Sequence, residues 1–154
     1  MAAPTVIPGT QLLIQLGAGG GSPQDSPDVF AEPCGLTVKA FNLTATMNTT
    51  IIPDCANPTA PAWEAKDVNS LAAEVTGNGI MAVEAFHIWS DWFLSAASRS
   101  AHIMLVSPAT LPLSLGYFLG TFFLSKMVLN GQRGQKVLID ITMVNDGPIT
   151  FTAA

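Results

Sequence analysis

The residues whose types and spacing could support chemistry are few, and the best-placed group lies on a single segment. Glu84 stands three residues before His87 and Asp91 four residues after it, so on a helix their side chains share one face. Such a set could bind a metal ion or transfer protons. A metal site would need further ligands, and no dense cluster of His, Asp and Glu supplies them. A solvated polar stripe therefore explains this spacing better than a catalytic site.

Two other motifs with a chemical meaning are weaker. Ser90 stands beside Asp91, but no serine lies in a G-x-S-x-G motif, which would expose a nucleophile at a sharp turn. The segment GAGGG at residues 17–21 lacks the Lys-Ser/Thr of a phosphate loop and the fingerprint of a dinucleotide site. We therefore expect no enzyme activity, no cofactor and no metal ion.

The two cysteines, Cys34 and Cys55, leave two alternatives open. Reduced thiols are typical of a cytoplasmic protein, whereas a disulfide between them would suit a particle that must survive outside a cell. Two thiols without a neighbouring histidine do not make a four-ligand zinc site.

Composition predicts a surface that is covered by other molecules. Only 11% of residues are charged and 49% are hydrophobic, whereas about a quarter are charged in a typical soluble domain. The net charge is −5, with six Lys and Arg in total, which disfavours nucleic-acid binding. The longest uncharged run is interrupted by Pro108 and Pro112, so we expect no membrane insertion. The N-terminus lacks the features of a secretory signal, which indicates a cytoplasmic origin.

The elements that must position these residues are mainly strands. The segment AFNLTATMNTTII at residues 40–52 alternates with almost no error, and further alternating segments predict about seven strands in a β-sandwich or barrel. One flanking α-helix is predicted over about 82–98, with Phe86, Trp89 and Phe93 on its buried face. We expect a single domain over 1–154, with a flexible N-terminal arm at 1–28 and a long Pro-rich loop at 51–66.

The order of these elements resembles a known family. The chain carries CGLTVKAFNLTATMNTT, a long loop that ends at Trp63-Glu64, AAEVTGNGIM before a Trp-rich helix, and a last hairpin that ends in NDGPITF. This order is similar to that of the tail tube (major tail) proteins of long-tailed phages and gene transfer agents. The resemblance covers about residues 10–152, and it is a match of pattern rather than of specific motifs.

The resemblance implies a structural virion protein. In this family, hexameric rings of one subunit stack into a hollow tail tube around a tape measure protein, and the tube later conducts DNA without binding it specifically. The implied partners are other copies of the chain, the tape measure protein, the tail terminator, and baseplate or distal tail proteins. The implied location is the phage tail, assembled in the bacterial host cytoplasm.

The resemblance also suggests roles for two sets of residues. A strand face of uncharged Asn and Thr is expected where DNA must pass without sticking. The alternative is that this face packs against the helix or a second sheet. The predicted channel residues are Asn42, Thr44, Thr46, Asn48, Glu74, Thr76, Asp140 and Thr142. The predicted residues of a loop that reaches the neighbouring ring are Ile51, Pro53, Asp54, Pro58, Pro61 and Trp63.

Two alternative functions remain at this point. A tail terminator, connector or baseplate protein of the same fold would form one ring rather than a continuous tube. A small ligand-binding β-barrel would instead line a pocket with the aromatic residues Tyr117, Phe118, Phe122 and Phe123.

Overall fold

A computed structural model describes residues 6–17, 33–106 and 114–153 of the chain. These residues form six strands, one α-helix and one short 3-10 helix. Their order is the 3-10 helix (Gly9–Gln11), β1 (Leu12–Leu16), β2 (Leu36–Ile52), β3 (Trp63–Ile80), α1 (Val83–Ser95), β4 (Arg99–Val106), β5 (Ser114–Asn130) and β6 (Leu138–Ala153).

All six strands belong to one antiparallel sheet in the order β1-β4-β5-β6-β3-β2. The sheet curls, because its two edge strands approach each other: Lys39 Nζ on β2 donates a hydrogen bond to the carbonyl of Leu12 on β1 at 3.0 Å. The ring of Phe41 on β2 also lies 5.2 Å from that of Phe118 on β5. The mainly-β fold with one helix is confirmed. Within the described residues six strands form a single curled sheet, where the sequence indicated about seven.

The core lies on the concave face of this sheet, and α1 packs onto it. Phe122, Val75 and Met143 are each 0% exposed. Alternation along β6 buries Ile139, Ile141 and Met143 and leaves the residues between them on the other face. The helix contributes Ala85, Trp89 and Trp92 to the same cluster.

The predicted helix face was wrong in part. Trp89 is 1% exposed, but Phe86 is 39% and Phe93 is 43% exposed, and Trp92 is buried instead. The predicted residues 86, 89 and 93 have helical spacing, and so do the buried residues 85, 89 and 92. The spacing alone therefore does not choose between the two faces. Trp92 is favoured because its indole N–H donates to the carbonyl of Ala97 at 2.9 Å and its larger ring buries more apolar surface.

Three predicted boundaries also need correction. The irregular loop covers only 53–62, because β3 begins at Trp63 and pairs with β2 from there onward. Within the predicted arm at 1–28 the sequence QLLIQL predicts an isolated short strand. Leu12–Leu16 is a strand, but it pairs with β4 in the sheet and Ile14 is fully buried, while residues 1–5 and 18–28 lie outside the described part. The sequence DGPITFTAA predicts a turn followed by a short terminal strand, whereas in the structure Gly147, whose φ is 87°, lies within the continuous strand β6.

Candidate interaction surfaces

The β2–β3 hairpin extends well beyond the rest of the sheet. Strand β3 pairs with β6 only from Glu74 to Ile80, and towards its N-terminal end it pairs with β2 alone. We call this extension of the hairpin the arm, and from here on the word no longer refers to the N-terminal segment 1–28. The arm comprises residues 42–52 of β2, residues 63–74 of β3 and the loop 53–62. At roughly 3.3 Å per residue the arm is about 35 Å long. Every side chain of β2 from Asn42 to Ile52 is exposed, and on β3 the arm buries only Ala73, at its base, so the rest of the arm has no packed face in the single chain.

The predicted channel residues nearest the body lie together on one face. In the sheet Asn42 stands opposite Glu74, and Thr76 stands opposite Thr142. Directly opposed residues point to the same side of a sheet, and their neighbours Val75 and Met143 are buried on the other side. We call this surface the polar face. It bears Asn42, Thr44, Thr46, Asn48, Glu74, Thr76, Asp140 and Thr142.

A bulge keeps this face continuous along the arm. Thr46 pairs with Ser70 and Met47 with Val68, so β3 takes up one extra residue, Asn69, while β2 continues its alternation. Among the described residues the helix packs against the core on the opposite side of the sheet. The alternative in which α1 covers the polar face is therefore wrong.

The predicted loop residues lie at the free end of the arm. Ile51 belongs to β2 and Trp63 begins β3, while Pro53, Asp54, Pro58 and Pro61 lie in the loop between them. Trp63 is 82% exposed. The loop is ordered by its own hydrogen bonds: Asp54 Oδ1 accepts from the Ala56 N–H at 2.9 Å, and the Asn57 carbonyl accepts from the Ala60 N–H at 3.0 Å.

Cys34 and Cys55 do not form a disulfide within the chain. Both thiols are free and exposed. They flank the two ends of β2, which spans 17 residues, whereas bonded cysteines have Cα atoms within about 7 Å. Of the two alternatives that the sequence left open, the intrachain disulfide is therefore contradicted, since an extended strand separates the two residues.

The structure also contains a groove that the sequence did not indicate. It has a volume of about 400 Å³ and lies between the arm and the C-terminal half of β6, with Leu43, Leu71, Phe118 and Phe151 among its lining residues. Strand β6 turns away from β3 at Asn145, whose side-chain oxygen accepts the N–H of Ala73 at 3.1 Å. The register of the β2–β3 hairpin and that of the β5–β6 hairpin place these residues together.

In the part of the chain that is described, the titratable side chains are not grouped into a metal site. Glu84, His87 and Asp91 are exposed on α1, and no group of three or more His, Cys, Asp or Glu there is placed to hold a metal ion. Burial lowers the pKa of His102, whose ring lies 4.5 Å from that of Tyr117.

No helix in this part of the chain has the length and apolar character needed to cross a membrane. Of the aromatic residues predicted to line a pocket, Phe118 lines the groove described above, whereas Phe122 is buried in the core.

The comparison with protein families and the comparison with solved structures agree with each other. The family model described as phage tail tube protein matches residues 6–151. No curated protein sequence matches the chain. Among solved structures, a chain from the tail of an empty gene transfer agent particle, refined with C6 symmetry, has 16% identity and a TM-score of 0.70, and the match covers 96% of this chain and all of that one.

Two other solved structures share this fold. The tail tube of SPP1 has 7% identity and a TM-score of 0.65, with 97% of this chain and 80% of that chain covered. The tube-terminating cap of the anti-feeding prophage has 14% identity and a TM-score of 0.63, with 100% and 95% covered. At these identities the structural matches establish the fold, and the family match establishes the relationship.

Proposed function

The chain belongs to the phage tail tube protein family, and on this premise we propose that six copies close into a ring and that rings stack into a hollow tail tube. Its role is that of a structural tail protein. The C6 symmetry of the gene transfer agent tail supports six copies per ring. We further propose that the subunit acts without catalysis, that it assembles around a tape measure protein in the host cytoplasm, and that the finished tail includes terminator and baseplate or distal tail proteins.

The arm is the observation that carries this proposal. A two-stranded ribbon with no packed face is at most marginally stable alone in water. The arm exposes apolar side chains along its length, including Leu43, Met47, Val68 and Leu71, each more than half exposed. Unpaired strand edges and apolar surface of this extent indicate a protein that is completed by its neighbours. Pairing between copies in a closed ring would satisfy the backbone groups of the unpaired strand edges and would cover the apolar surface.

We also propose that the polar face lines the channel. Asn and Thr offer uncharged hydrogen-bonding groups, which do not attract phosphate as Lys and Arg do. Glu74 and Asp140 add negative charge to this face. Lys126 stands opposite Thr142 and partly offsets them. A surface with this balance would repel DNA weakly and would not hold it.

Thiol labelling of assembled filaments tests this orientation. In a variant with Cys34→Ser and Cys55→Ser, Thr44→Cys places a thiol on the polar face, and Leu43→Cys is the matched control on the other face of the same strand. Both positions are exposed in the single chain, so both should react with any maleimide before assembly. In filaments Thr44→Cys should react with a small maleimide but be protected from one attached to a large polymer. Reaction of Thr44→Cys with both reagents in filaments would contradict the proposal.

The structural match to a terminating cap makes a single-ring terminator the second candidate. Electron microscopy of the purified chain separates the two functions. Long hollow filaments support the tube, whereas single rings at every concentration would support the terminator.

A further inference from the structure

Helix α1 has an apolar surface that the described part of the chain leaves exposed. At 3.6 residues per turn the side chains of α1 fall into three arcs. One arc is buried against the sheet and contains Trp89 and Trp92. A second arc, which we call the polar arc, carries the exposed side chains of Glu84, Asp91 and Ser95. The third arc is apolar, and we call it the helix flank. It consists of Val83, Phe86, Phe93 and Leu94, which are between 39% and 82% exposed.

The arm has an apolar surface of similar length. On the side of the sheet opposite the polar face, Leu43 stands opposite Ala73, and Met47 stands opposite Val68. We call this side of the arm the apolar face. Leu43 and Leu71 belong to this face and also line the groove of about 400 Å³. A partner that covers the apolar face would therefore also cover one wall of the groove.

Two strand edges without partners show where a second copy can approach. Within the described residues β5 pairs with β4 only as far as Phe122, so the edge of β5 from 123 to 130 has no strand beside it. The outer edge of β2 along the arm has none either. All neighbours in the sheet are antiparallel, so β5 of a second copy placed beside β2 would continue the same alternation of directions.

The register across the sheet fits a closed ring of such copies. One row of paired residues consists of Leu36, Gly79, Ile139 and Leu129. The free edge of β5 is thus level with the part of β2 that precedes the arm. To reach Leu129 of another copy, Asn42 must slide by six residues (42 minus 36), or about 20 Å. The four strands β5, β6, β3 and β2 are about 19 Å wide together, so the slide corresponds to a strand tilt of about 45°, close to that of closed β-barrels.

We propose that the helix flank of one copy packs on the apolar face of the arm of the next copy in the ring and covers the groove there. This inference rests on the proposed function and identifies the side-chain surfaces that meet beside the joined edges. Ile88 of α1 and Met127 of β5 both pack against the core, so α1 covers the core side of the free edge of β5. The apolar face of an arm that joins this edge lies on the same side of the sheet, next to α1.

The spacing of the large side chains corresponds on the two surfaces. Phe86 and Phe93 lie about 10.5 Å apart along the helix axis. Leu43 and Met47 lie about 13 Å apart along β2. The register described above places the start of α1 beside Leu43 and the end of α1 beside Met47.

The charges of the two surfaces are also complementary. Helix α1 carries Glu84 and Asp91 and contains no Lys or Arg. Lys66 stands opposite Thr49 on the apolar face, beyond Met47. Its contact with Glu64, at 3.7 Å, is exposed on both sides and therefore weak. Lys66 is thus available to the acidic side chain nearest the end of the helix, Asp91, at the rim of an apolar contact.

Disulfide trapping tests whether the two surfaces meet. In a variant with Cys34→Ser and Cys55→Ser, the substitutions Phe93→Cys and Met47→Cys are made together. Filaments are treated with diamide, which takes up the two electrons and two protons that two thiols release. A non-reducing gel should then show a ladder of linked copies that ends at six, because each copy is joined to both neighbours in its ring. Phe93→Cys with Asn48→Cys on the polar face is the matched control and should give no ladder.

Two further samples make this result specific. Phe86→Cys with Leu43→Cys tests the other end of the helix and should give the same ladder. A mixture of the Phe93→Cys chain and the Met47→Cys chain should give linked dimers only, because each copy then carries one thiol. Dilute monomers that carry both thiols should stay unlinked to one another. Absence of linked copies from filaments of both cysteine pairs would overturn the inference.

Substitutions at adjacent residues test the apolar character of the contact. Leu94→Asp places a carboxylate on the helix flank, and its control Ser95→Asp places one on the polar arc. Met47→Asp and Asn48→Asp are the corresponding pair on β2. Leu94→Asp and Met47→Asp should each raise the concentration needed for filaments at least about tenfold, whereas the two controls should change it by less than about threefold. Tm of the dilute monomer should stay nearly constant in all four variants, because these side chains are exposed.

Failure of this inference differs from failure of the proposed function. If the wild type forms no filaments at any concentration, the proposed function fails, and the inference fails with it. Filaments that form equally well from all four aspartate variants would refute the inference alone, as would equal losses within each pair.

Discussion

Substitution of Gly79 by alanine tests the close approach between the start of β2 and the end of β3, where Leu36 stands opposite Gly79. A Cβ atom at this position would lie 2.0 Å from the carbonyl oxygen of Gly35 and 2.7 Å from the backbone nitrogen of Thr37. Both contacts are with backbone, which cannot move aside as a flexible side chain can. The two segments must therefore separate by more than an ångström. The separation would break the hydrogen bond from the N–H of Ile80 to the carbonyl of Gly35, which is 2.9 Å long.

The cost follows from these two effects. Overpacking of a tightly packed site costs about 1–3 kcal/mol, and the lost hydrogen bond costs about 0.5–1.5 kcal/mol. We expect Gly79→Ala to lower the free energy of unfolding by about 3 kcal/mol, the middle of that combined range. For a domain of this size roughly 2–4 °C of Tm corresponds to 1 kcal/mol, so Tm should fall by about 6–12 °C.

Thermal unfolding followed by circular dichroism measures this change. The protein must be diluted until light scattering shows monomers, because assembly adds apparent stability. Gly131→Ala is the matched control, since a Cβ there would meet no atom within 4 Å. If Gly79→Ala melts at the same temperature as Gly131→Ala, the described approach of β2 and β3 is wrong.

Three further predictions concern the helix, one histidine and the cysteines. Trp89→Ala should cost about 3–5 kcal/mol of stability in denaturant unfolding, while Phe93→Ala, at a half-exposed position, should cost clearly less; equal costs would contradict the described helix face. Burial lowers the pKa of His102, so the folded chain binds a proton at this imidazole more weakly than the unfolded chain does. Stability should therefore fall as the pH drops below about 6.5. When Tm is measured against pH, the fall should be smaller in His102→Gln. Diamide oxidises two thiols to a disulfide and takes up their two electrons and two protons. In dilute monomers it should form no intrachain disulfide between Cys34 and Cys55, because the two residues are far apart. A monomer that migrates faster on a non-reducing gel would refute their separation.

The sequence predicted the features of this fold that depend on local alternation. The pattern from Phe41 to Ile51 fixes which side chains of β2 share a face, and the same rule applied to β3 and β6 selected residues that the register brings together. The rule works because the side-chain period of a strand is two and does not depend on the neighbouring strand. Placement of Asn42 beside Glu74 still required the pairing of the strands.

The predictions that failed depend on long-range packing. The face of α1 could not be chosen from spacing, because residues 85, 89 and 92 repeat at helical intervals just as residues 86, 89 and 93 do. The partner of the indole N–H of Trp92 lies beyond the end of the helix, at Ala97, and this hydrogen bond distinguishes the two faces. The start of β3 at Trp63 was missed because its alternation is broken by the bulge at Asn69.

The bulge and the free length of the arm together constrain how this hairpin can change. Insertion of one residue on one strand inverts every side chain between the insertion and the loop, which would turn Thr and Asn away from one surface and apolar side chains towards it. Insertion of two residues on each strand instead keeps every orientation and lengthens the arm by about 6.6 Å at the usual rise. The reach of the hairpin is thus free to vary only in paired steps, unless a second bulge such as that at Asn69 restores the orientation.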